Sequence, residues 1–183
     1  ERIQARVQRM ENLTEDLLNY ARAAKRCKDV AQVDLPGLIQ NILDLLVLPE
    51  NAQVQIALEI KELLTPKAPL ETVLRNLISN AIKHHDAVRQ FQLTIGNEAA
   101  GSYLCFRVVD NGPGIPANAQ DRVFRLFQTL TGTGTSHGGV GLAVAKRLCE
   151  SHGGRLELDK NHVTGGCCFV IWWPRFPRSD IDE

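Results

Sequence analysis

No run of apolar residues in this sequence approaches the roughly 20 that a helix needs to span a bilayer. There is no excess of one charge either, because 21 Lys and Arg residues balance 21 Asp and Glu residues. A general nucleic-acid or membrane-surface binder shows a basic excess, so the sequence predicts neither function, although a local basic patch remains compatible with this balance. The sequence shows no signal peptide and begins at Glu1 rather than Met, so we expect a piece of a longer protein.

The cysteines form neither a metal-ligand pattern nor a disulfide framework. Their number, five, is odd, and no CxxC pair occurs. The positions are Cys27, Cys105, Cys149, Cys167 and Cys168. We therefore predict small buried residues in a reducing compartment, with the adjacent Cys167 and Cys168 on opposite faces of a strand.

A chain of 183 residues, 44% of them hydrophobic and 23% charged, can bury the core of one domain with an appendage. Residues 1–27 contain no Gly or Pro, and Ile3, Met10, Leu17 and Ala24 recur every seven residues. This spacing predicts one long helix packed along a partner helix; an amphipathic helix lying on its own domain is the alternative. The main domain is expected at residues 28–174, followed by a frayed tail at 175–183.

Helical and strand patterns alternate through the main domain. Helices are predicted at 37–47, 69–88 and 140–152, and strands at 53–60, 91–96, 103–109, 155–159 and 166–173. Strands that follow one another directly predict an α+β fold. We expect a two-layer sandwich with a mixed, mostly antiparallel sheet and helices on one face, preceded by the long N-terminal helix. A doubly wound nucleotide-binding fold is not expected.

Two asparagines lie four residues apart on the second predicted helix, in the segment NLISNAIKHH. Asn76 and Asn80 share one helical face, which is not the apolar face. Their amide oxygens, together with phosphate oxygens and water, are suitable ligands for an octahedral Mg²⁺ ion, and Lys83, one turn further on, can meet a phosphate. Taken alone, such a pair is more often part of a solvated helix face.

Two further segments follow along the chain. DNGPG, at residues 110–114, comes directly after a strand, and its glycines permit a tight turn and the close approach of a flat ligand. The Asp110 carboxylate there can accept a hydrogen bond from an exocyclic amine such as that of adenine. Alone, this segment is an ordinary turn. FRLFQTL, at residues 124–130, is by itself a piece of core.

A glycine-rich segment opens the last predicted helix. Backbone N–H groups at the start of a helix, here near Gly139 and Gly141, bind phosphate with the help of the helix dipole. Residues 131–137 have no hydrophobic anchors and can form a mobile lid. The segment is not a Walker A motif, since no Lys follows at the required spacing. It is not a dinucleotide-binding fingerprint either, since no strand leads directly into it.

Together and in this order, the four segments resemble the N, G1, F and G2 boxes of the ATP-binding domain of bacterial two-component sensor histidine kinases. The resemblance covers about residues 30–174, and Gly165 and Gly166 resemble a further glycine box. The helix at 1–27 resembles the second helix of the dimerisation and phosphotransfer hairpin. The resemblance implies the Bergerat fold shared with gyrase, Hsp90 and MutL ATPases, with ATP and Mg²⁺ as cofactors.

The resemblance also implies a role for each matching residue. Asn80 would coordinate Mg²⁺ with the help of Asn76, and both would serve catalysis together with Lys83. The other implied assignments are His84 with Lys83 facing the phosphates, Asp110 on the adenine amine, Gly112 and Gly114 in the pocket floor, Gly139 and Gly141 around the phosphates, and Phe124 and Phe127 at the base of the lid.

The sequence departs from the family pattern at the phosphoacceptor. None of its five histidines has the family's context, a His followed by an acidic residue on the first hairpin helix. We expect that residue upstream of Glu1, with its true loss as the alternative. The lid also lacks Lys and Arg.

In gyrase and Hsp90 a Glu serves as general base at the position of Asn76. An asparagine amide takes no proton at neutral pH, so Asn76 favours phosphoryl transfer over hydrolysis.

The sequence therefore predicts the catalytic domain of a sensor histidine kinase, cytoplasmic even where the parent protein is membrane-anchored. It would transfer the γ-phosphate of ATP to a histidine on a hairpin missing from this chain, for relay to an aspartate of a response-regulator receiver domain. Further expected partners are the missing hairpin helix and a second kinase protomer, but neither nucleic acid nor membrane. Two alternatives stay open: a degenerate kinase that pairs with and modulates another kinase, and a Bergerat-fold ATPase.

Overall fold

The computed structural model describes residues 18, 21–22, 29–86, 88–126, 140–162 and 165–176. Its elements in chain order are β1 (Val30–Asp34), α1 (Leu35–Leu45), β2 (Gln53–Leu58), β3 (Glu62–Pro66), α2 (Lys67–Lys83), β4 (Gln92–Ala100), β5 (Tyr103–Asp110), α3 (Ala117–Gln120), α4 (Gly141–Ser151), β6 (Arg155–Leu158) and β7 (Cys168–Pro174). The predicted helix at 1–27, apart from three helical residues, and most of the predicted tail lie outside the described residues.

The main sheet has five strands in the order β2-β4-β5-β7-β6. Only β2 and β4 pair in parallel; the three other pairings, β4–β5, β5–β7 and β6–β7, are antiparallel. The long β4–β5 hairpin places Leu93 opposite Asp110, so the last residue of β5 lies beside the start of β4. The mixed, mostly antiparallel sheet predicted from the sequence is confirmed.

One face of this sheet packs against the helices. Side chains alternate across a strand, so Leu104, Phe106 and Val108 of β5 point into the core, as Phe169, Ile171 and Trp173 of β7 do. Helix α2 contributes buried residues at the three- and four-residue spacing of a helix: Pro69, Leu70, Val73, Leu74, Leu77, Ile78 and Ala81. Burying this stripe leaves the polar face of α2 available for a binding site.

The four described cysteines are free and buried. Cys167 packs in the main core, whereas Cys168 joins a small cluster with Cys105 and Val170 on the other face of the sheet, as the strand pattern predicted. Burial raises the pKa of Cys149 above its ordinary value and that of Cys167 to about 12, so these thiols stay protonated and behave as small apolar groups.

Two features differ from the sequence-based expectation. A second sheet forms from the antiparallel strands β1 and β3, which were not predicted because Val33 is the only buried residue of β1 and the pairing depends on a distant partner strand. Helix α2 ends at Lys83 rather than near Val88. Its apolar repeat stops at Ile82, and Val88 is 87% exposed, so nothing in the core holds a further turn.

A buried amide fixes the chain ahead of α2. Asn97 of β4 is 5% exposed, and its Oδ1 accepts a hydrogen bond from the Ile60 N–H at 3.0 Å. Its Nδ2 donates to the Ile60 carbonyl oxygen at 2.8 Å. These two hydrogen bonds join the β2–β3 connection to the sheet, and β3 leads directly into α2.

Among the described helices, none combines the length and apolar character that crossing a membrane requires.

Candidate nucleotide-binding site

The polar end of α2 forms one side of the site. Asn76 and Asn80 lie on the half-buried face of the helix, and Lys83, its last residue, is exposed. His84 follows as the C-cap, with its N–H bonded to the Asn80 carbonyl oxygen at 3.1 Å. The predicted set of polar side chains on one helical surface is therefore present.

Asp110 forms the other side of the site, at the end of β5. Its side chain is 8% exposed, and its Oδ1 accepts hydrogen bonds from the Gly112 N–H at 2.8 Å and the Cys167 N–H at 3.3 Å. Burial raises the pKa of Asp110 above its ordinary value. The two N–H donors, and the nearby His162 and His84, act in the opposite direction and offset only part of this effect.

Glycines let three backbone segments meet around Asp110. Gly114 and Gly166 have φ angles of 76° and 78°, a region that side-chain-bearing residues avoid. A Cβ atom on Gly114 would lie 3.1 Å from the Gly166 carbonyl oxygen, and one on Gly166 would overlap the carbonyl of Asp110. The second glycine box, which the sequence suggested only by resemblance, therefore packs directly against the first.

Helix α2 touches both glycine-rich segments. A Cβ atom on Gly141, the first residue of α4, would lie 3.0 Å from Asn76 Oδ1. At the other end, a Cβ atom on Gly112 would lie 3.6 Å from the His84 carbonyl oxygen. Asn76 and His84 are eight positions apart, which corresponds to about 12 Å along the helix, with Asn80 midway. One continuous site thus runs from the start of α4, along α2, to Asp110.

His84 lies between the charged groups of this site. Partial burial is the main factor that lowers the pKa of its imidazole, followed by the positive charge of Lys83; the Asp110 carboxylate acts in the opposite direction. The imidazole therefore binds a proton less readily than that of an ordinary histidine. His84 can offer a hydrogen bond to a ligand there, whereas the permanent positive charge comes from Lys83.

Phe124 is the described aromatic residue of the predicted lid base. Its ring is half-buried and packs edge-on against Phe169 of β7, with centroids 6.1 Å apart. The Lys146 ammonium of α4 lies over the same ring, 5.2 Å from its centroid. Phe127, Gly139 and the predicted lid at 131–137 lie outside the described residues.

The sequence analysis missed two contributors to the site. Cys167 donates a backbone N–H to Asp110, a role that any non-proline residue can fill and that residue type cannot reveal. Asn111 binds the start of β4 through both side-chain polar atoms. Its place directly after Asp110 was visible in the sequence, but its hydrogen-bond partners were not.

Among the described residues, no group of three or more His, Cys, Asp or Glu side chains could hold a metal ion.

With this geometry established, comparison with known proteins becomes informative. Residues 65–177 match the family described as histidine kinase-, DNA gyrase B- and HSP90-like ATPase. The chain belongs to this family. The matched residues include the whole of α2 and both glycine-rich segments around Asp110, so this ATPase family and the site coincide.

The proteins that this chain resembles include sensor kinases. The chain is 30% identical over 176 residues to the sensor protein kinase PilS of Pseudomonas aeruginosa, covering 92% of this chain and 32% of PilS. Full-length ShkA, solved in complex with AMPPNP, is 25% identical with a TM-score of 0.70, covering 91% of this chain and 36% of that one. Histidine kinase ThkA, solved with the response regulator TrrA, is 21% identical with a TM-score of 0.70, covering 96% and 50%. The chain thus spans about a third of PilS.

The close approach at Gly166 predicts a strong difference between two neighbouring glycines. Gly166→Ala should lower the free energy of unfolding by more than about 3 kcal/mol, because its methyl group would collide with the Asp110 backbone. Gly165→Ala is the matched control. It has a φ of 82°, but of the described residues a Cβ atom there would meet only the Arg89 side chain, at 3.8 Å, so about 1 kcal/mol is expected from backbone strain. Urea denaturation measures both; equal losses would contradict the packing.

The raised pKa of Asp110 predicts that its ionised form destabilises the fold. Asp110→Asn keeps an oxygen for the Gly112 and Cys167 N–H groups, so it should be at least as stable as the wild type at about pH 7. This advantage should vanish at about pH 3, where the carboxyl is protonated in both the folded and unfolded states. Thermal denaturation across this pH range measures the difference.

A control of opposite sign is available on the surface. Hydrogen bonding to Lys160 lowers the pKa of Asp121, so its ionised form favours the folded state. Asp121→Asn should therefore be less stable than the wild type at about pH 7, and this deficit should fade as the pH falls through the range of carboxyl titration. A loss of stability in Asp110→Asn as well, with the same pH profile, would show that Asp110 carries no burial penalty.

Proposed function

We propose that this chain is the ATP-binding catalytic domain of a sensor histidine kinase, working in the cytoplasm. It transfers the γ-phosphoryl group of ATP to a histidine on a helical hairpin outside this chain, for relay to an aspartate of a response regulator. The observation that carries the proposal is that α2 approaches the start of α4 near its middle, at Asn76, and the turn beside Asp110 at its C-cap, His84. The similarity to the sensor protein kinase PilS and to histidine kinase ThkA supports the same assignment, and the complex of ShkA with AMPPNP supports a nucleotide site.

Asp110 recognises the adenine base in this proposal. Its Oδ1 is occupied by two backbone N–H groups, and no described residue donates a hydrogen bond to its Oδ2. That oxygen can accept a hydrogen bond from the 6-amino group of adenine. Gly112 and Gly114 leave room beside it for a flat ring, and His84, whose carbonyl oxygen lies next to Gly112, would face the phosphates together with Lys83.

Asn80 and Asn76 hold Mg²⁺ in this proposal, and their chemistry fits the ion. Mg²⁺ prefers oxygen ligands and keeps several waters, so two amide oxygens with phosphate oxygens suffice. Asn76 Oδ1 faces Gly141 at the start of α4, where Val140, the N-cap residue, has no side-chain oxygen to occupy the first N–H groups. Those N–H groups, Gly139 and Lys83 bind the phosphates. When bound, Mg²⁺ neutralises charge that develops during phosphoryl transfer.

Phe124 and Phe127 support the lid in this proposal. The Phe124 ring is fixed between Phe169 and Lys146, which anchors the segment that leads towards residues 127–139. An anchored base lets the following segment close over the phosphates without disturbing the sheet. Phe127 would pack beside Phe124 at the same base.

The amide at position 76 favours a kinase over an ATPase. Hydrolysis requires a base that removes a proton from the attacking water, and an asparagine amide cannot do so. A histidine acceptor brings its own nucleophilic nitrogen, so the domain has only to position ATP and stabilise charge. ThkA was solved with a response regulator, which supports a receiver domain as the next acceptor. The helix at 1–27 would pair with the missing hairpin helix and with a second protomer.

Replacing Asn80 tests the metal and nucleotide assignments. Asn80→Ala removes an amide oxygen from the middle of the site, so the Kd for ATP in the presence of Mg²⁺ should rise at least about 100-fold. Isothermal titration measures this change. Gln40→Ala, which removes an exposed amide from α1 bonded only to Asp44, is the matched control and should leave the Kd unchanged. Unchanged affinity in Asn80→Ala would refute the assignment.

Labelled ATP distinguishes the three candidate functions. The full-length parent should form acid-labile phosphohistidine, whereas the isolated chain should bind ATP without labelling itself or turning ATP over rapidly. Parent protein that binds ATP but never becomes labelled would indicate a degenerate kinase. Rapid steady release of phosphate by the isolated chain would indicate a Bergerat-fold ATPase instead.

A further inference from the structure

The side chain of Asn111, directly after β5, forms hydrogen bonds with the backbone at the start of β4. Its Oδ1 accepts a hydrogen bond from the Gln92 N–H at 2.9 Å, and its Nδ2 donates to the Gln90 carbonyl oxygen at 2.8 Å. Its backbone joins in, because its N–H donates to the Gln92 carbonyl at 3.3 Å and its carbonyl accepts from Arg89 Nη1 at 3.4 Å. Both polar atoms of the side chain and both backbone groups therefore bind the segment 89–92.

The opposite side of the same peptide is also in contact. A Cβ atom on Gly166 would lie 2.8 Å from the Asn111 Cα and would overlap the Asp110 carbonyl oxygen. The peptide that joins Asp110 to Asn111 is thus enclosed between the glycine box on one side and the segment 89–92 on the other. Neither surface offers it room to rotate.

This enclosure determines how the Asp110 carboxylate is oriented. The next N–H along the chain, that of Gly112, donates to Asp110 Oδ1 at 2.8 Å, so its direction depends on the Asn111 backbone between them. Cys167, directly after Gly166, supplies the second donor at 3.3 Å. Both donors hold Oδ1, and within the part of the chain that the structure describes no residue donates to Oδ2, so this oxygen is the acceptor available to a ligand.

We propose that Asn111 is a positioning residue that sets the preference of the site for a 6-aminopurine. It holds the turn so that the free oxygen of Asp110 faces the base, and it does not touch the nucleotide itself. The inference rests on the proposed nucleotide site. It goes beyond that site because it assigns base selectivity to Asn111, a residue that the family resemblance did not mark as a ligand. Without Asn111, the Gly112 N–H can turn away and the carboxylate can rotate.

Base selectivity provides the test, since it reports on Asp110 rather than on the site as a whole. ITP has a carbonyl oxygen where ATP has the 6-amino group, so it cannot donate to Asp110. The wild-type chain should bind ATP at least about tenfold more tightly than ITP, each with Mg²⁺. In Asn111→Ala the Kd for ATP should rise about tenfold while that for ITP changes less than about twofold, so the preference is largely lost.

The control removes a neighbouring side chain whose hydrogen bond goes to Gln53 and not to Asn111. Gln92→Ala loses only the Gln92 Nε2 hydrogen bond to Gln53 Oε1, and it keeps the backbone groups that Asn111 binds. It should retain the wild-type preference for ATP. Asn111→Ser, which is too short to reach both Gln92 and Gln90, is the second variant if Asn111→Ala fails to fold, and it should lose the preference in the same way.

Two results would overturn the inference. An equal rise in the Kd for both nucleotides would show that Asn111 only maintains the fold of the site, and an unchanged ratio with unchanged affinities would show that it has no role in binding. Failure of the wild-type chain to bind ATP at all is a separate result, visible before any variant is made, and it would overturn the proposed function together with this inference.

Discussion

A carboxylate buried at the end of a strand is the constraint on which the rest of the site depends. Asp110 is removed from water, which disfavours its ionised form, so donors must be supplied by the protein. They come from two backbone N–H groups, those of Gly112 and Cys167, on different segments. Bringing both segments to one oxygen requires a turn at Gly112–Gly114 and a second close approach at Gly166.

The second constraint is that one helix serves both the core and the site. The apolar stripe of α2 fills the space against the sheet, so the helix cannot rotate without exposing buried leucines. Asn76 and Asn80 are therefore held at a fixed angle to the sheet. The same helix approaches Gly141 near its middle and Gly112 at its C-cap, which makes the distance between these two contacts a property of a rigid element.

The family relationship and the residues carry different parts of the functional argument. Membership of the histidine kinase-, gyrase- and HSP90-like ATPases accounts for the fold and for a nucleotide site, yet this family includes both kinases and hydrolases. The choice between them depends on the side chain at position 76, because an amide orients and coordinates but removes no proton. Partial burial and the charge of Lys83 lower the pKa of His84, so its imidazole binds a proton less readily than that of an ordinary histidine.

The sequence by itself determined the fold class, the polar face of α2 and the position of Asp110 between a strand and a glycine-rich turn. Helical spacing placed Asn76 and Asn80 on one surface, and a Gly-rich turn after an apolar strand placed Asp110 at its end, because local periodicity and turn chemistry require only neighbouring residues. The tertiary structure alone decided three features: the β1–β3 sheet, the end of α2 at Lys83, and the hydrogen bonds that Asn111 and Cys167 make. Each depends on hydrogen bonds or packing between segments far apart in the chain. The type of a side chain does not show whether the backbone N–H of the same residue, such as that of Cys167, will be a donor in a site.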